Sequence, residues 1–236
     1  MSKQKEFVAG GLTKVAFSID ALQPLRELYQ DIQSDKLMEG IDIGIKAHDD
    51  YGDKNFDGVS MRWYFAKSQK AINLFREVLD GCELAVVRDL VGDDRKKMRV
   101  VQGNIIEIIG SYPEGRWHSD MADSELSLNQ SATLLTPLYP FEAHFGGLET
   151  TAASRESMDY DKNALVHQYR DGEAILFDGT GTIHRTQSYK AKPTEKRLLV
   201  SWQLADARKL MRPILQRIGE KNGDPMFFSS HKNKNI

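Results

Sequence analysis

From about Met98 onward the chain is a succession of short runs rich in Val, Ile, Leu and aromatic residues, and this texture limits the fold more than any single motif. The runs "RVVQGNIIEIIGSY", "SATLLTPLY", "ALVHQY", "EAILFDG" and "RLLVSWQL" are separated by Gly, Pro, Asp or Asn. That is the composition of strands joined by turns. Such a series predicts a barrel or sandwich and excludes a plain helical bundle.

The first 97 residues read as mixed, with helical signals strongest. Leu22, Leu25, Tyr29 and Ile32 fall three or four apart, and "SQKAINLFREVLDG" repeats the spacing with Ile72, Phe75, Val78 and Leu79. Both segments predict amphipathic helices. Ser68 is placed to cap the second and Gly81 to end it. After the β-like half, "ADARKLMRPILQRIGEKNG" predicts a closing helix with Leu210, Ile214 and Ile218 on one face, which Pro213 must interrupt or restart. The expectation is one domain over residues 1–236: mixed, largely helical support over 1–97, a β core over 98–206, and a C-terminal helix with a polar tail over 207–236.

Charge and cysteine content narrow the function. A net charge of −2 gives no electrostatic case for a nucleic-acid or membrane partner. The opening "MSKQKEFVAGGLTK" has no apolar run of the signal-peptide kind and no segment nears the length of a membrane span, so a cytoplasmic location is expected. The single cysteine, Cys82, leaves no internal disulfide and no multi-cysteine metal site, and reads as a small buried residue. The sequon at Asn129 carries no weight in such a compartment.

The chemistry points to a metal. In "GRWHSDMADS", His118 and Asp120 stand two apart, and on an extended strand residues i and i+2 project from one face. A second such pair, His48 and Asp50 in "KAHDDYGD", lies among charged residues and glycine and reads as a solvated loop. The best third ligand is His184, which follows the strand-like "EAILFDG" and a tight "DGTG" turn; His144 and His167 are its rivals. Arg197 follows 13 positions after His184 and opens a strand-like run. Either it ends the exposed turn "KAKPTEK", or its guanidinium grips a carboxylate in a two-pronged pair.

Taken in order, "YPEGRWHSD", "GGLET", "GEAILFDGTGTIHRTQSY" and "EKRLLVSWQ" resemble the iron(II)/2-oxoglutarate-dependent dioxygenases, particularly the prolyl 4-hydroxylase-like branch. The resemblance covers roughly residues 98 to 206. It implies a double-stranded β-helix, jelly-roll or cupin-like, mainly β with flanking helices. It further implies that His118, Asp120 and His184 ligate Fe(II) and serve as the catalytic centre, and that Arg197 binds the distal carboxylate of 2-oxoglutarate. Tyr112 stands where related enzymes often have a tyrosine that helps to hold the co-substrate. Two positions after Arg197, where many relatives are polar, this chain has Leu199, with Ser201 at the next inward position.

Two imidazoles and a carboxylate take one face of an octahedral iron(II) and leave adjacent positions open. The reaction that the resemblance implies consumes O2 and 2-oxoglutarate, releases succinate and CO2, and oxidises a substrate C–H bond, with ascorbate as a potential stimulant. Asp120 argues for hydroxylation or a related oxidation, because halogenating relatives carry a small residue there. The polar stretches 46–65 and 121–130 suggest a polar small molecule or amino acid as substrate, with a peptide, as for a prolyl hydroxylase, the alternative. A zinc-dependent hydrolase and a catalytically silent β-barrel binding module stay open. Oligomeric state is not legible.

Overall fold

A computed structural model describes residues 11–47, 60–80, 98–113, 115–121, 126, 130–151 and 160–228. In chain order these form β1 (Leu12–Ala16), α1 (Gln23–Gln33), β2 (Ile43–Ala47), β3 (Ser60–Ala66), α2 (Gln69–Asp80) and β4 (Met98–Ile109). Then follow β5 (Ser131–Pro137), β6 (Leu148–Thr151), β7 (Ala164–His167), β8 (Glu173–Asp178), β9 (Ile183–Thr186), β10 (Lys196–Asp206) and α3 (Arg212–Asn222). A seven-stranded sheet of order β1-β8-β5-β10-β4-β3-β2 faces a three-stranded sheet of order β7-β6-β9. Each pairing is antiparallel. Pairing of His118 with His184 carries the smaller sheet one segment further. The architecture is the expected double-stranded β-helix.

The sheet reaches further back than the expected core. β1, β2 and β3 all precede residue 98 and supply three of its seven strands, so the first part of the chain adds strands to the sheet beside its two helices. These strands are short, and β1 and β2 lie at the two edges, where only one neighbour is available.

Both predicted N-terminal helices form. α1 buries Leu25, Leu28 and Tyr29; α2 buries Ala71, Ile72, Phe75, Val78 and Leu79. Ser68 caps α2 as expected, its Oγ accepting the Ala71 N–H at 3.2 Å. Gly81 lies outside the described residues, as do Cys82, Asn129, His48, Asp50 and the C-terminal "SSHKNKNI". The two helices cover the outer face of the large sheet, sharing a core with Tyr64, Ile105, Val200 and Trp202. Trp202 Nε1 donates to the Phe75 carbonyl at 2.9 Å. Gly103 lets Phe75 seat there, since a Cβ at that position would lie 2.4 Å from the ring. The closing helix departs from expectation at its start: it begins at Arg212 with Pro213 in its first turn, Leu210 precedes it and is exposed, and only Ile214 and Ile218 of the expected face are buried. Among the described residues no helix is long and apolar enough to cross a membrane.

One carboxylate is buried on this outer face. Glu107, 1% exposed, accepts hydrogen bonds from Tyr29, from Tyr64 at 3.0 Å and from Lys196 at 3.1 Å. Burial pushes its carboxyl up, but the Tyr29, Lys196 and Tyr64 donors outweigh this and hold it below its ordinary value. A group depressed in the folded state contributes stability above its unfolded pKa and loses it as pH falls through the folded value. Glu107→Ala is therefore expected to destabilise the fold by about 3–5 kcal/mol at neutral pH, because it strands the buried donors. In urea denaturation the gap from wild type should shrink as the pH is taken down through and below the ordinary carboxylate range.

Candidate metal centre

The approach of His118 to His184 is set by backbone pairing. His118 N–H donates to the His184 carbonyl at 3.0 Å, and His184 N–H returns the bond at 2.9 Å. The turn before β9 is held by Asp178, whose Oδ1 accepts from Thr180 and Gly181 N–H at 2.8 and 2.7 Å. This is the reversal read from "DGTG". The extended stretch does not persist through the H-x-D motif: His118 is paired, but Asp120 already lies in a turn. That bend brings the carboxylate round to face both rings.

Each imidazole has its Nδ1 against a backbone carbonyl two residues earlier, His118 on Arg116 at 2.8 Å and His184 on Thr182 at 3.1 Å. With Nδ1 carrying the proton, each Nε2 presents a lone pair, and both face Asp120 Oδ1, at 3.6 Å from His118 and 3.3 Å from His184. The other carboxylate oxygen, Oδ2, accepts from Thr133 Oγ1 at 2.6 Å. The three ligand atoms lie within 4.8 Å of one another. Burial pushes the Asp120 carboxyl up, yet the flanking histidines hold it well below the usual carboxylate range. For His118 burial lowers and Asp120 raises; the net shift is upward. His184 is 4% exposed and packs on Phe177, whereas the His118 side chain faces outward, so the cluster opens on that side. Two imidazole nitrogens and one carboxylate oxygen converging at a cavity wall fit a divalent transition metal with open positions.

The rival histidines are engaged elsewhere. His144 sits between Glu142 and Glu195, at 3.4 and 3.2 Å, and His167 Nε2 is 2.7 Å from Thr150 Oγ1. Neither joins the cluster.

Alternation along β10 turns Arg197 inward. Lys196 is exposed, Arg197 is 2% exposed, and Arg197, Leu199, Ser201 and Gln203 all line one cavity of about 470 Å³ with His118, Asp120 and His184. Arg197 does not end an exposed turn. Its guanidinium carbon lies 5.3–6.0 Å from the ring centres of Phe141, Tyr169 and Tyr189, while Nε and one Nη, Nη2, have no hydrogen-bond partner among the described residues. A buried, partly unpaired cation is costly by itself. Tyr112 lines the cavity too, stacked on Tyr189 at 6.2 Å between ring centres.

Comparison with solved structures gives the same architecture. EctD from S. alaskensis, in its apo form, is 16% identical, with 88% of this chain and 78% of that chain aligned at a TM-score of 0.63. HygX from Streptomyces hygroscopicus, with nickel and 2-oxoglutarate bound, is 13% identical over 86% of this chain and 85% of that one, with a TM-score of 0.58. The non-heme α-ketoglutarate-dependent epimerase SnoN from nogalamycin biosynthesis is 11% identical over 87% and 80%, with a TM-score of 0.55. The chain shares their fold. No protein-family model and no curated sequence matches it.

Sequence reasoning passed over Tyr169. It is buried beside Arg197; burial pushes its hydroxyl up to about 12, although the charge of Arg197 and a hydrogen bond donated by its guanidinium pull the other way. It ends the run "ALVHQY", in which the histidine drew attention instead. Thr133 was likewise unremarkable within "SATLLTPLY". Only the register that sets it opposite Phe177 and Gln203 reveals its place beside Asp120.

Proposed function

We propose that the chain is an iron(II)- and 2-oxoglutarate-dependent oxygenase that hydroxylates or otherwise oxidises a C–H bond of a polar small molecule. One observation carries the reading. A single cavity has a converging His118–Asp120–His184 donor set and, further along the same strand face as its lining, a buried guanidinium with unpaired donors. A metal site alone would explain the first feature and not the second. A dicarboxylate held at both ends explains the two together.

In this reading His118, Asp120 and His184 hold the iron, and Thr133 occupies Asp120 Oδ2 so that Oδ1 is the oxygen presented. Arg197 takes the distal carboxylate of 2-oxoglutarate, with Tyr169 beside it and Tyr112 on the wall. Leu135, Leu148, Leu199 and Ile106 give the same cavity an apolar lining. The low dielectric they create strengthens the pairing between guanidinium and carboxylate. When bound, iron would let O2, the oxidant, take two electrons from 2-oxoglutarate, with succinate and CO2 released, and two from the substrate C–H bond. The cavity volume falls within the range of about 300–1,000 Å³ common for small-molecule sites. HygX has also been solved with hygromycin B bound, a small-molecule precedent on this fold.

The test is succinate release with iron(II), ascorbate, O2 and 2-oxoglutarate, first alone and then across pools of amino acids, other small metabolites and proline-containing peptides. Stimulation by small molecules is the expected result. Stimulation by peptides alone would move the substrate to the prolyl-hydroxylase class. If iron binds and no succinate forms under any condition, the oxygenase reading fails and a zinc-dependent hydrolase or a silent binding module takes its place.

A further inference from the structure

The cavity has a second polar region, distant from Arg197 along β10, to which the mechanism assigns no partner. The inward faces of β10 and β4 change character along their length: Arg197 is paired with Ile108 and Leu199 with Ile106, but Ser201 with Asn104 and Gln203 with Gln102. Asn104 and Gln203 are 6% and 9% exposed and line the cavity, and Asn104 Oδ1 and Gln203 Oε1 have no hydrogen-bond partner among the described residues. Asp224 lines the same cavity, and its Oδ1 is also buried and unpartnered. Gln102, whose Oε1 accepts from Gly103 N–H and which pairs with Gln203 across the strands, has an Nε2 with no partner among the described residues. Even if Gln102 and Gln203 satisfy one another, Asn104 and Asp224 remain.

Asp224 is carried there by a defined path. α3 ends on Gly223 in the left-handed conformation, with Gly223 N–H on the Glu220 carbonyl and Asp224 N–H on the Gly219 carbonyl, which turns the chain back. Beyond it Phe227 N–H donates to the Val101 carbonyl at 2.8 Å, at the register shift where β4 bulges opposite Gln203 and Leu204. Arg76 secures the junction by donating to both the Val100 and Phe227 carbonyls. The cation nearest Asp224 is Lys46 of β2, whose Nζ donates to the Asn222 carbonyl. Burial pushes the Asp224 carboxyl above its ordinary value, and Lys46 offsets this only in part.

We infer that Asp224, Gln203 and Asn104 form the subsite for a protonated primary amine on the substrate. An ammonium group offers three N–H donors and no acceptor, the complement of three orphaned oxygens, whereas a hydroxyl brings an acceptor with its donor. This rests on the oxygenase reading for what happens to the amine, but not for its binding.

The experiment is calorimetric titration of the full chain with primary amines (free amino acids, diamines and amino sugars), each paired with its N-acetyl derivative, with and without 2-oxoglutarate and a redox-inert divalent metal. At least one amine is expected to bind more tightly than its acetylated partner. Asp224→Asn should reduce that preference about 30-fold or more, as for loss of a buried charge-assisted pair, and Asp224→Glu should restore part of it. If no amine outbinds its acetylated form, or if Asp224→Asn keeps the preference, the inference is overturned. Failure of 2-oxoglutarate to bind would sink the oxygenase reading instead, and the titrations of the chain alone would still decide this one.

Discussion

His184→Ala is expected to abolish the weak visible charge-transfer band that anaerobic iron(II) and 2-oxoglutarate should give with the wild-type chain. The fold should survive, because the β9 pairing with His118 runs through backbone groups that alanine keeps. What is lost is one of three converging donors, and it is the buried one, so water cannot replace it in a fixed position. Thr133→Val supplies the graded comparison. It leaves the three ligands and removes the hydrogen bond to Asp120 Oδ2, a change of the kind that weakens metal affinity by roughly 10–100-fold. His184→Ala should exceed that range in the same titration. A full-strength band in His184→Ala would remove His184 from the ligand set.

The candidate-site residues His118, Asp120, His184 and Arg197 were legible from an ordered set of motifs, and for His184 and Arg197 also from a local physical anomaly. A buried-looking strand that contains arginine, or a histidine placed just after a tight turn, requires explanation without reference to distant residues. Arg197 is the clearest case: strand alternation alone predicts opposite sides for Lys196 and Arg197, and the two differ in exposure accordingly. The long strands β4, β5, β8 and β10 were legible for a related reason, since they are buried on both faces and read as nearly continuous apolar runs.

The strands and site residues that were missed depend on partners far away in the chain. β2, "IGIKA", buries none of its residues fully and carries a glycine into which the Phe65 ring packs, so by itself it has no strand pattern to read. β3, "SMRWYFA", becomes intelligible only beside β4, where Tyr64 turns outward to Glu107 while Trp63 lines the cavity. Asn104 and Ser201 are 97 positions apart and meet only through register (201 − 104). Leu210 failed for the opposite reason. Its spacing fits the helix face, but Pro213 sits best in a first turn, and the helix starts too late to include it.

Arg197→Met should weaken 2-oxoglutarate far more than it disturbs iron, by about 2–5 kcal/mol or roughly 30- to several-thousand-fold, as expected for the loss of a buried charge-assisted pair. Methionine fits the test because it fills the space among Phe141, Tyr169 and Tyr189 without a charge. The same substitution has an opposite effect expected on the ligand-free protein. In wild type the guanidinium is buried with Nε and Nη2 unpaired, an arrangement that costs stability, so its removal should raise the melting temperature of the chain alone. In wild type, 2-oxoglutarate with a divalent metal should raise the melting temperature by mass action, and in the variant that rise should largely vanish at the same concentration. The two signs together separate the roles. A residue kept for packing would lose stability when replaced and leave the co-substrate affinity unchanged; a residue kept to hold an anion gains stability when replaced and loses the ligand. Thermal unfolding of both proteins, with and without 2-oxoglutarate, reads both signs in one experiment, and an Arg197→Met protein that is less stable yet binds 2-oxoglutarate normally would overturn the assignment.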